Sequence, residues 1–403
     1  MILALEKVHL FLRPMATLNY LLLSPVNRYG GVNLDVGFIA HIISEQHRVK
    51  VISLGRYYDD ASVFYFDKNL SYTSVDRELY RSSRLLRWSS QVTSVLKPMP
   101  IPNHHRLDNR LSRKLAHLDT ARKQLIEKAI TSCDRLVLCA QLTAPFMQFA
   151  IQTASRHNIV VVFRTTGQII ASQLTPANAV WLSKVSSFIH HSQKNKENVA
   201  QYLPQANHHL IDQNAYDQER FLQLPVLDQK ITRFYSIGRL SPLKRNLQII
   251  EAFLAIPHTH LSLHIYGDGE QEAALKTAAA GSRHIHFHGA IAFDEIHQAH
   301  GANDCLIIAS RLEAGPYTGV EAMASGRMLI SSRVGAMESR LPDYPYFYEG
   351  THEHLVQQIQ EVSALSQQAV VQWSKKLRQR YLQAYSENAI RDQYREVLFD
   401  PEA

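Results

Sequence analysis

Short apolar runs alternate with amphipathic stretches through the first half of the chain. A strand is predicted at Leu18–Ser24, a helix from about Val32 to Gln46, and a second strand at Val49–Leu54. The glycine pair Gly30-Gly31 lies between the first strand and the helix. This strand–glycine loop–helix–strand unit is typical of a doubly wound parallel sheet. Further strands in this half are predicted at Arg135–Cys139, Ile159–Phe163 and Ser187–His191.

The second half of the chain repeats this alternation from Arg233 onward. Its strands are predicted at Phe234–Ile237, Leu261–Tyr266, Ile285–Phe287, Cys305–Ile308 and Met328–Ser331. The polar segment Asp212–Ile231 separates the two blocks and predicts a hinge. A long amphipathic stretch, Ser366–Leu398, predicts a final helix. The pattern as a whole predicts an α/β protein built from two blocks.

Length and composition agree with this prediction. The chain has 403 residues, more than one ordinary core contains and enough for two domains. Hydrophobic residues make up 45% and charged residues 20%, the usual balance of a globular protein. The three cysteines lie on apolar runs without disulfide or zinc spacing, which favours buried thiols in a reducing compartment. Residues 1–14 lack the features of a signal peptide and no run approaches the roughly 18–20 apolar residues of a membrane span, so a cytoplasmic setting is expected.

The charge of the chain favours anionic partners without defining a function. The formal net charge is +7, and 21 histidines can add positive charge in acid. Leucines recur at helical spacing between residues 106 and 118, and basic residues occupy the other faces of this predicted helix. These basic residues are Arg106, Arg110, Arg113 and Lys114. The helix is interpreted either as a solvated surface or as a contact with an anionic membrane or an acidic acceptor. It lacks interleaved aromatic residues, so nucleic-acid binding is not expected.

The strongest chemical signal is the segment Ser310–Gly326, SRLEAGPYTGVEAMASG, in which seven residues separate Glu313 from Glu321. It follows the predicted strand Cys305–Ile308 and leads into a predicted helix. Glu313 is therefore expected at the carboxyl end of a strand and Glu321 in the first turns of the next helix. Ligands bind beyond the carboxyl ends of such strands, and the N–H groups of a helix start suit a diphosphate. Two carboxylates there suit vicinal hydroxyl groups, one pair on a ribose and one on a sugar.

Two weaker signals lie at the ends of earlier strands. In Gly238-Arg239-Leu-Ser-Pro-Leu-Lys244, the arginine and lysine place two cations where the phosphates of a nucleoside diphosphate would lie. The alternative is an ordinary basic helix start. The turn Gly267-Asp-Gly269 is either a phosphate-approach turn or a generic Asp-Gly turn. No DxD-type metal motif is evident, and two cations can replace a metal in stabilising a departing diphosphate.

Together these segments resemble family 4 of the retaining glycosyltransferases, group 1 enzymes with the GT-B fold. The family's strand–GR–x4–K–helix opening, G-x-G strand end and E-x7-E loop with EAMA-x-G are matched at Arg239, Lys244, Gly267, Glu313 and Glu321. The resemblance implies two Rossmann-like domains with parallel sheets facing across a cleft. Residues 1–215 would bind the acceptor and residues 216–380 the nucleotide-sugar. Residues 381–403 would form a helix that packs back on the N-terminal domain.

The resemblance also implies roles for individual residues. Arg239 and Lys244 would hold the donor diphosphate and, with Glu313 at the donor sugar, form the catalytic set. Glu321 would bind the ribose. The other residues implied at the donor are Gly238, Gly267, Pro316, Tyr317, Thr318, Gly30 and Gly31. For the last two, a simple tight turn is the alternative.

The chain departs from the family pattern at two places. Gly315 stands where an aromatic residue is frequent, two positions after Glu313. The predicted strand Ile159–Phe163 is not followed by the histidine that many members place near the transferred sugar. Arg164 and Thr166 are the candidates to take its place.

The predicted function is transfer of a hexose from a nucleoside-diphosphate sugar to a hydroxyl group of a glycan or lipid-linked acceptor. Retention of stereochemistry, independence of metal and the absence of a cofactor are expected, with a role in bacterial surface polysaccharide or glycoconjugate synthesis. The enzyme is expected in the cytoplasm or peripherally at the inner face of the membrane. The alternatives are a catalytically inactive GT-B partner of another glycosyltransferase, and a sugar-nucleotide epimerase or phosphorylase on the same architecture. The donor base, the sugar, the acceptor and the oligomeric state are not predicted.

Overall fold

A computed structural model of the protein describes residues 17–97, 100–257 and 260–399. The segment 1–14, in which no signal peptide was recognised, lies outside this range. The strands are β1 (Asn19–Ser24), β2 (Arg48–Ser53), β3 (Tyr72–Ser74), β4 (Arg135–Ala140), β5 (Val160–Thr165), β6 (Ser187–His190), β7 (Asn207–Leu210), β8 (Arg233–Ile237), β9 (Ser262–Tyr266), β10 (Ile285–Gly289), β11 (Cys305–Ile308), β12 (Met328–Ser332) and β13 (Phe347–Tyr348).

The strands form two sheets. The first has the order β3-β2-β1-β4-β5-β6-β7 and the second the order β10-β9-β8-β11-β12-β13. Every pairing that is described is parallel, for example Tyr20 with Val49 and Cys305 with Met328. The order runs outward in both directions from the first strand of each sheet, as in a doubly wound fold. The prediction of an α/β protein with two parallel sheets is confirmed.

The helices lie between the strands in the chain. They are α1 (Gly31–Ser44), α2 (Val75–Ser82), α3 (Arg84–Leu96), α4 (Arg110–Leu115), α5 (Leu118–Ile130), α6 (Met147–Arg156), α7 (Pro176–Leu182), α8 (Gln193–Tyr202), α9 (Gln218–Leu222), α10 (Asn246–Leu254), α11 (Glu272–Ala278), α12 (Ile296–Ala302), α13 (Tyr317–Ala324), α14 (Met337–Arg340), α15 (His352–Ser363), α16 (Gln367–Ala384) and α17 (Glu387–Phe399). Within the described ranges, no helix combines the length and the apolar composition needed to cross a bilayer.

The central strands of the second sheet form the middle of its core. β11 (CLII) and β12 (MLISS) are buried along their whole length, as expected of parallel strands covered on both faces. Three strands were not predicted, and each lacks the apolar run on which prediction depends. β7 reads Asn-His-His-Leu, β13 has two residues, and β3 has three.

The predicted final helix Ser366–Leu398 is in fact two helices. α16 ends at Ala384, after which Tyr385 leaves the helical conformation. Ser386 then starts α17, because its carbonyl accepts from the N–H of Ile390 and its Oγ accepts from the N–H of Ala389 at 3.4 Å. A serine that can begin a new helix therefore interrupts an amphipathic pattern that reads as continuous.

The prediction of a single basic helix over residues 106–118 is wrong. The chain there forms a 3₁₀ turn, Asn103–Arg106, then α4, and then α5 after His117 in the left-handed region. Asn109 breaks the pattern by capping α4, since its Oδ1 accepts from the N–H of Ser112 at 2.9 Å. Arg106 is buried and donates from Nη1 to the carbonyl of Lys97 at 2.7 Å, so it belongs to the interior and not to a basic surface.

Contacts between residues group the chain into two compact units. The first takes in the chain up to Cys139 and the segment Ala144–Val162, and the second takes in Ala140–Thr143 and the chain from Phe163 on. The predicted domain boundaries after residues 215 and 380 stay predictions. The second unit contains the second sheet and the loops that carry most of the candidate site.

Candidate functional site

Three neighbouring strands of the second sheet, β9, β8 and β11, bring the predicted donor residues to one edge. Parallel strands end at the same edge of a sheet, so the loops that follow them lie side by side. Gly267 follows β9, Gly238 follows β8, and the loop after β11 carries Glu313. The expected position of Glu313 beyond a strand end is confirmed.

The glycines of this edge permit a very close approach between two loops. Gly267 has a φ of +134°, and a Cβ there would lie 1.9 Å from the carbonyl oxygen of Gly238. Gly269 has a φ of +155°, and a Cβ there would lie 2.4 Å from the carbonyl oxygen of Leu240. Larger residues would force the loops apart. Glycine at both positions therefore allows the loops after β8 and β9 to pack backbone against backbone.

Lys244 and Glu313 form an ion pair across the site. Lys244 ends a 3₁₀ turn, Pro242–Lys244, and its Nζ donates to Oε1 of Glu313. Lys244 also lines a small cleft together with Gly238 and Thr318. The sequence alone suggested separate ligand groups for the two charges, whereas the structure shows them bound to each other.

The start of α13 presents backbone N–H groups next to this pair. Pro316 is the N-cap, and Tyr317 and Thr318 form the first turn, whose N–H groups have no acceptor within the helix. Partial positive charge at a helix start favours an anion. Arg239 is exposed, and it forms no ion pair with any residue that the structure describes.

Glu321 is buried inside the second turn of α13, as the sequence predicted for its helix. Its Oε2 lies 3.5 Å from Nε2 of His300, and neither atom has a hydrogen-bond partner among the described residues. His300 accepts or donates through Nδ1 to the hydroxyl group of Tyr235 at 2.7 Å. Burial lowers the pKa of His300, so the ring is neutral near pH 7 and does not supply a full charge to Glu321. A buried carboxylate oxygen without a donor is suited to a ligand hydroxyl group.

Glu321 lines a small cleft. Its lining includes an aromatic pair, Tyr216 and Phe293, whose ring centroids are 4.9 Å apart. The two rings lie in segments that the sequence did not connect. Tyr216 lies just before α9, and Phe293 lies in the 3₁₀ turn before α12. Sequence reasoning did not find this pair, because only the fold brings its two segments together.

A larger open cavity of the second unit contains Glu313 and a group of cations. The cations on its lining are Lys194, Arg245, Arg311 and Arg333. Arg333 is paired with Glu338 and Glu349. The other three form no ion pair with the described part of the chain and are available to an anionic ligand, although four glutamates on the same lining balance the four cations.

The loop between the two glutamates is fastened by Arg340, a fully buried residue of α14. Its Nε and Nη2 donate to the two carboxylate oxygens of Asp212 at 2.8 and 2.6 Å, and its Nη1 donates to the carbonyl of Pro316 at 2.6 Å. Burial alone would lower the pKa of Arg340, but the Asp212 carboxylate outweighs it and raises the pKa, so the guanidinium stays charged. Sequence analysis missed this residue.

Arg340 also explains the glycine at the position where the family often has an aromatic residue. A Cβ on Gly315 would lie 2.8 Å from Nη2 of Arg340 and 3.0 Å from Oε1 of Gln213. The guanidinium and the amide occupy the space that a side chain at this position would need. Gly315 and Arg340 therefore depend on each other.

Arg164 and Thr166, the two candidates to take the place of the family's histidine, are both buried. Arg164 donates from Nη1 to the carbonyl of Ile211 at 2.5 Å and from Nη2 to Nδ1 of His191 at 2.6 Å. Thr166 is also buried, and its N–H donates to the carbonyl of Ala140. Arg164 therefore makes hydrogen bonds within the protein interior and does not face a ligand. Gln168, two residues after Thr166, lines the open cavity instead.

Gly30 and Gly31 lie in the first unit, at the start of α1. Gly30 is the N-cap of this helix with a φ of +135°, and no atom lies within 4 Å of a Cβ built there. The backbone conformation, and not crowding, therefore requires glycine at this position. The space beside Gly30 is open. A donor role for Gly30 and Gly31 stays a prediction.

Comparison with known proteins agrees with this geometry. Residues 217–380 match the family described as "Glycosyl transferases group 1". This segment contains β8 to β13 and most of the predicted donor residues. No curated protein gives a sequence match.

Solved structures resemble nearly the whole chain at low sequence identity. HepE of Anabaena, in complex with UDP and glucose, is 14% identical with a TM-score of 0.64, and the match covers 95% of this chain and 99% of HepE. A glycosyltransferase of Rickettsia africae is 15% identical with a TM-score of 0.69, covering 96% and 100%. The lipopolysaccharide outer core galactosyltransferase WaaB is 14% identical with a TM-score of 0.62, covering 94% and 99%. This likeness confirms the GT-B fold. With the family match, it supports a GT-B glycosyltransferase.

Proposed function

We propose that this protein transfers a hexose from a nucleoside-diphosphate sugar to a hydroxyl group of a glycan or lipid-linked acceptor. The observation that carries this proposal is the buried carboxylate of Glu321, whose Oε2 lacks a hydrogen-bond donor among the described residues. A ribose hydroxyl group supplies the missing donor. The group 1 family match and the solved complexes of HepE with UDP support the same assignment.

The nucleoside is proposed to enter the cleft that leads to Glu321. Tyr216 and Phe293 line this cleft and offer ring faces to a base, while Glu321 accepts from the ribose. Burial of the carboxylate makes each of these hydrogen bonds strong, because little water competes. This arrangement favours any nucleoside diphosphate and does not by itself select UDP or GDP.

The diphosphate is proposed to lie over the start of α13. The N–H groups of Tyr317 and Thr318 are proposed to bind it, with the backbone of Gly238 and Gly267 beside it. Lys244 supplies a positive charge at the same place. Arg239 follows β8 directly and is proposed as the second cation. Gly30 and Gly31 are proposed to approach the phosphate from the start of α1.

The reaction is proposed to use these charges and no metal ion. The bond between the anomeric carbon and the diphosphate oxygen breaks, and a bond from the acceptor oxygen to that carbon forms on the same face of the sugar. The acceptor proton passes to the departing phosphate oxygen. Lys244 and Arg239 stabilise the charge that develops there, while Glu313 accepts hydrogen bonds from the sugar. Retention and membership of family 4 belong to this proposal.

Two other functions on the same fold are distinguishable from this one. An inactive partner of another glycosyltransferase would bind no nucleotide, and a sugar-nucleotide epimerase would convert the donor without an acceptor. The pairing of Lys244 with Glu313 and the unsatisfied Oε2 of Glu321 argue against the inactive partner, since a disused site has no need of either.

The proposed setting is the cytoplasm or the inner face of a membrane, in the synthesis of bacterial surface polysaccharide or glycoconjugate. Cys139 and Cys305 are buried free thiols, which suits a reducing compartment. The likeness to the galactosyltransferase WaaB and to TarM, solved with α-GlcNAc-glycerol and UDP, suits surface glycans as products.

The test begins with a thermal-shift screen across nucleoside diphosphates and their sugars, followed by a turnover assay with the sugar that binds. Lys244→Ala and Glu321→Ala are expected to lower turnover by about a hundredfold or more while the fold survives. Glu353→Ala, at an exposed carboxylate of α15, is the matched control and should leave turnover unchanged. Near-wild-type turnover in both site variants would overturn the assignment.

A further inference from the structure

Helix α3 (Arg84–Leu96) presents large apolar side chains to solvent. Trp88 is 49% exposed, Val95 82% and Leu96 73%, and Leu85 is also more than two-fifths exposed. At about 100° per residue these four positions fall within an arc of about 100°, so they form one apolar stripe. The buried residues of the helix, Leu86, Ser89 and Ser90, lie outside this arc.

The neighbouring helix α4 adds to this surface. It is held against α3 by a hydrogen bond of 2.6 Å between the hydroxyl groups of Ser89 and Ser112. Its last residue, Leu115, is 56% exposed. Single exposed leucines are ordinary on protein surfaces, but five large apolar side chains on two adjoining helices are not.

Positive charge predominates in the segment of chain that carries this stripe. Residues 79–118 contain eight arginines and lysines and one acidic residue, Asp108. Arg106 is buried, and Arg113 is paired with Asp108. The remaining cations that are exposed and form no ion pair with a described residue are Arg81, Arg84, Lys97, Arg110 and Lys114. Apolar side chains are thus surrounded by uncompensated positive charge.

We infer that α3 docks this protein on an anionic lipid surface. Trp88, Val95 and Leu96 enter the boundary between headgroups and acyl chains, and the surrounding cations contact anionic headgroups. A nucleic acid would match the charge but not the stripe, since aliphatic side chains do not stack on bases. The surface lies in the first unit and involves no donor residue of the second. The inference assigns a docking surface to the membrane setting proposed above, and it does not depend on the proposed transfer reaction.

Flotation with lipid vesicles tests the inference. The wild-type protein is expected to float with phosphatidylcholine vesicles that contain phosphatidylglycerol and to stay behind with pure phosphatidylcholine. The triple variant Trp88→Ser/Val95→Ser/Leu96→Ser should bind the anionic vesicles at least about tenfold more weakly. The double variant Val180→Ser/Leu382→Ser removes exposed apolar side chains elsewhere and should bind as the wild type does.

The contribution of charge is tested separately. Arg84→Gln and Lys97→Gln should each weaken binding to anionic vesicles by about fivefold, whereas Lys184→Gln, at an exposed lysine of the second unit, should not. A thermal-shift measurement with the nucleotide that the wild type binds checks that every variant is folded and keeps its donor site. This readout also separates failure of the docking inference from failure of the proposed function.

Three outcomes would overturn the inference. One is a wild-type protein that ignores anionic vesicles, and another is a triple variant that binds them as tightly as the wild type. The third is self-association of the wild type that the triple variant loses in sedimentation velocity, which would assign the stripe to a second copy of this chain.

Discussion

Arg340 binds Asp212 through two hydrogen bonds and Pro316 through a third. Asp212 lies in the segment before α9, and Pro316 caps the helix that carries Glu321. One buried guanidinium therefore fixes the loop of the candidate donor site to a segment 104 residues earlier in the chain (316 minus 212). Bidentate geometry makes this pairing specific to arginine.

Replacing Arg340 should destabilise the protein strongly. In Arg340→Met the carboxylate of Asp212 stays buried without its cation, so the free energy of unfolding should fall by about 3–5 kcal/mol. Urea denaturation measures this change in the free energy of unfolding. Arg333→Met breaks a pair whose arginine is 45% exposed and should cost less than about 1 kcal/mol. Equal losses of unfolding free energy in the two variants would show that the buried Arg340–Asp212 pair stabilises the fold no more than an exposed pair does.

Gly315→Ala should act through Arg340. The new methyl group would lie 2.8 Å from Nη2, so stability and nucleotide affinity should both fall, by about 1–3 kcal/mol. In an Arg340→Met background the same substitution should cost less, because the obstructing nitrogen is gone. Gly55→Ala meets only ordinary contacts of 3.4 Å and serves as the control. Additive effects of Gly315→Ala and Arg340→Met would contradict the proposed dependence.

The Lys244–Glu313 pair predicts opposite effects on binding and turnover. Glu313→Gln frees Lys244, so a nucleoside diphosphate should bind at least as tightly as in the wild type. Transfer should nevertheless fall by about a hundredfold, because the sugar loses its carboxylate partner. Lys244→Met should weaken nucleotide binding and turnover together. Calorimetry and a transfer assay on both variants distinguish the role of Lys244 at the diphosphate from the role of Glu313 at the sugar. Weaker nucleotide binding in Glu313→Gln would contradict these roles.

Acid should destabilise the fold through His190. Burial, with smaller contributions from nearby cations, lowers the pKa of His190 to about 3. The folded protein keeps the ring neutral, whereas the unfolded chain takes up a proton below its ordinary pKa of about 6.5. The contribution of the neutral His190 ring to the free energy of unfolding is thus complete above about pH 6.5. It is lost as the pH falls toward 3, by at most about 1.4 kcal/mol per pH unit.

The variant His190→Gln isolates this effect. The ring contacts Thr165 and His208, and glutamine can keep a hydrogen bond to one of them. The free energy of unfolding of the variant should fall less between about pH 6 and pH 4 than that of the wild type. His157→Gln, at an exposed histidine, should keep the wild-type slope. Identical slopes in all three proteins would rule out His190 as a source of acid sensitivity.

Local sequence was sufficient to predict the parallel α/β fold and the placement of Glu313 and Glu321. Both glutamates lie within one strand–loop–helix segment, where apolar runs, a proline and glycines mark the boundaries. The strand ends of Gly238 and Gly267 were predictable for the same reason. Each of these features depends on residues within about ten positions of one another, which a pattern can register.

The features that sequence analysis missed depend on distant segments. Arg340 gives no local signal of its pairing with Asp212, and the burial of Arg106 follows from packing that a leucine spacing cannot show. The aromatic pair Tyr216 and Phe293 likewise comes from two loops. Helix breaks at Asn109 and Ser386 were missed because polar caps also fit the solvent face of an amphipathic helix.

The central claim is that Glu321 receives the ribose of a nucleoside-diphosphate donor. Calorimetric titration of UDP and GDP into the wild type, Glu321→Gln and the control Glu353→Gln tests it most directly. If Glu321 binds the ribose, at least one nucleotide should bind the wild type and the control equally, and Glu321→Gln should bind it more weakly by about 2–4 kcal/mol without loss of thermal stability. Equal affinity in Glu321→Gln and the wild type, or a wild type that binds neither nucleotide, would contradict it.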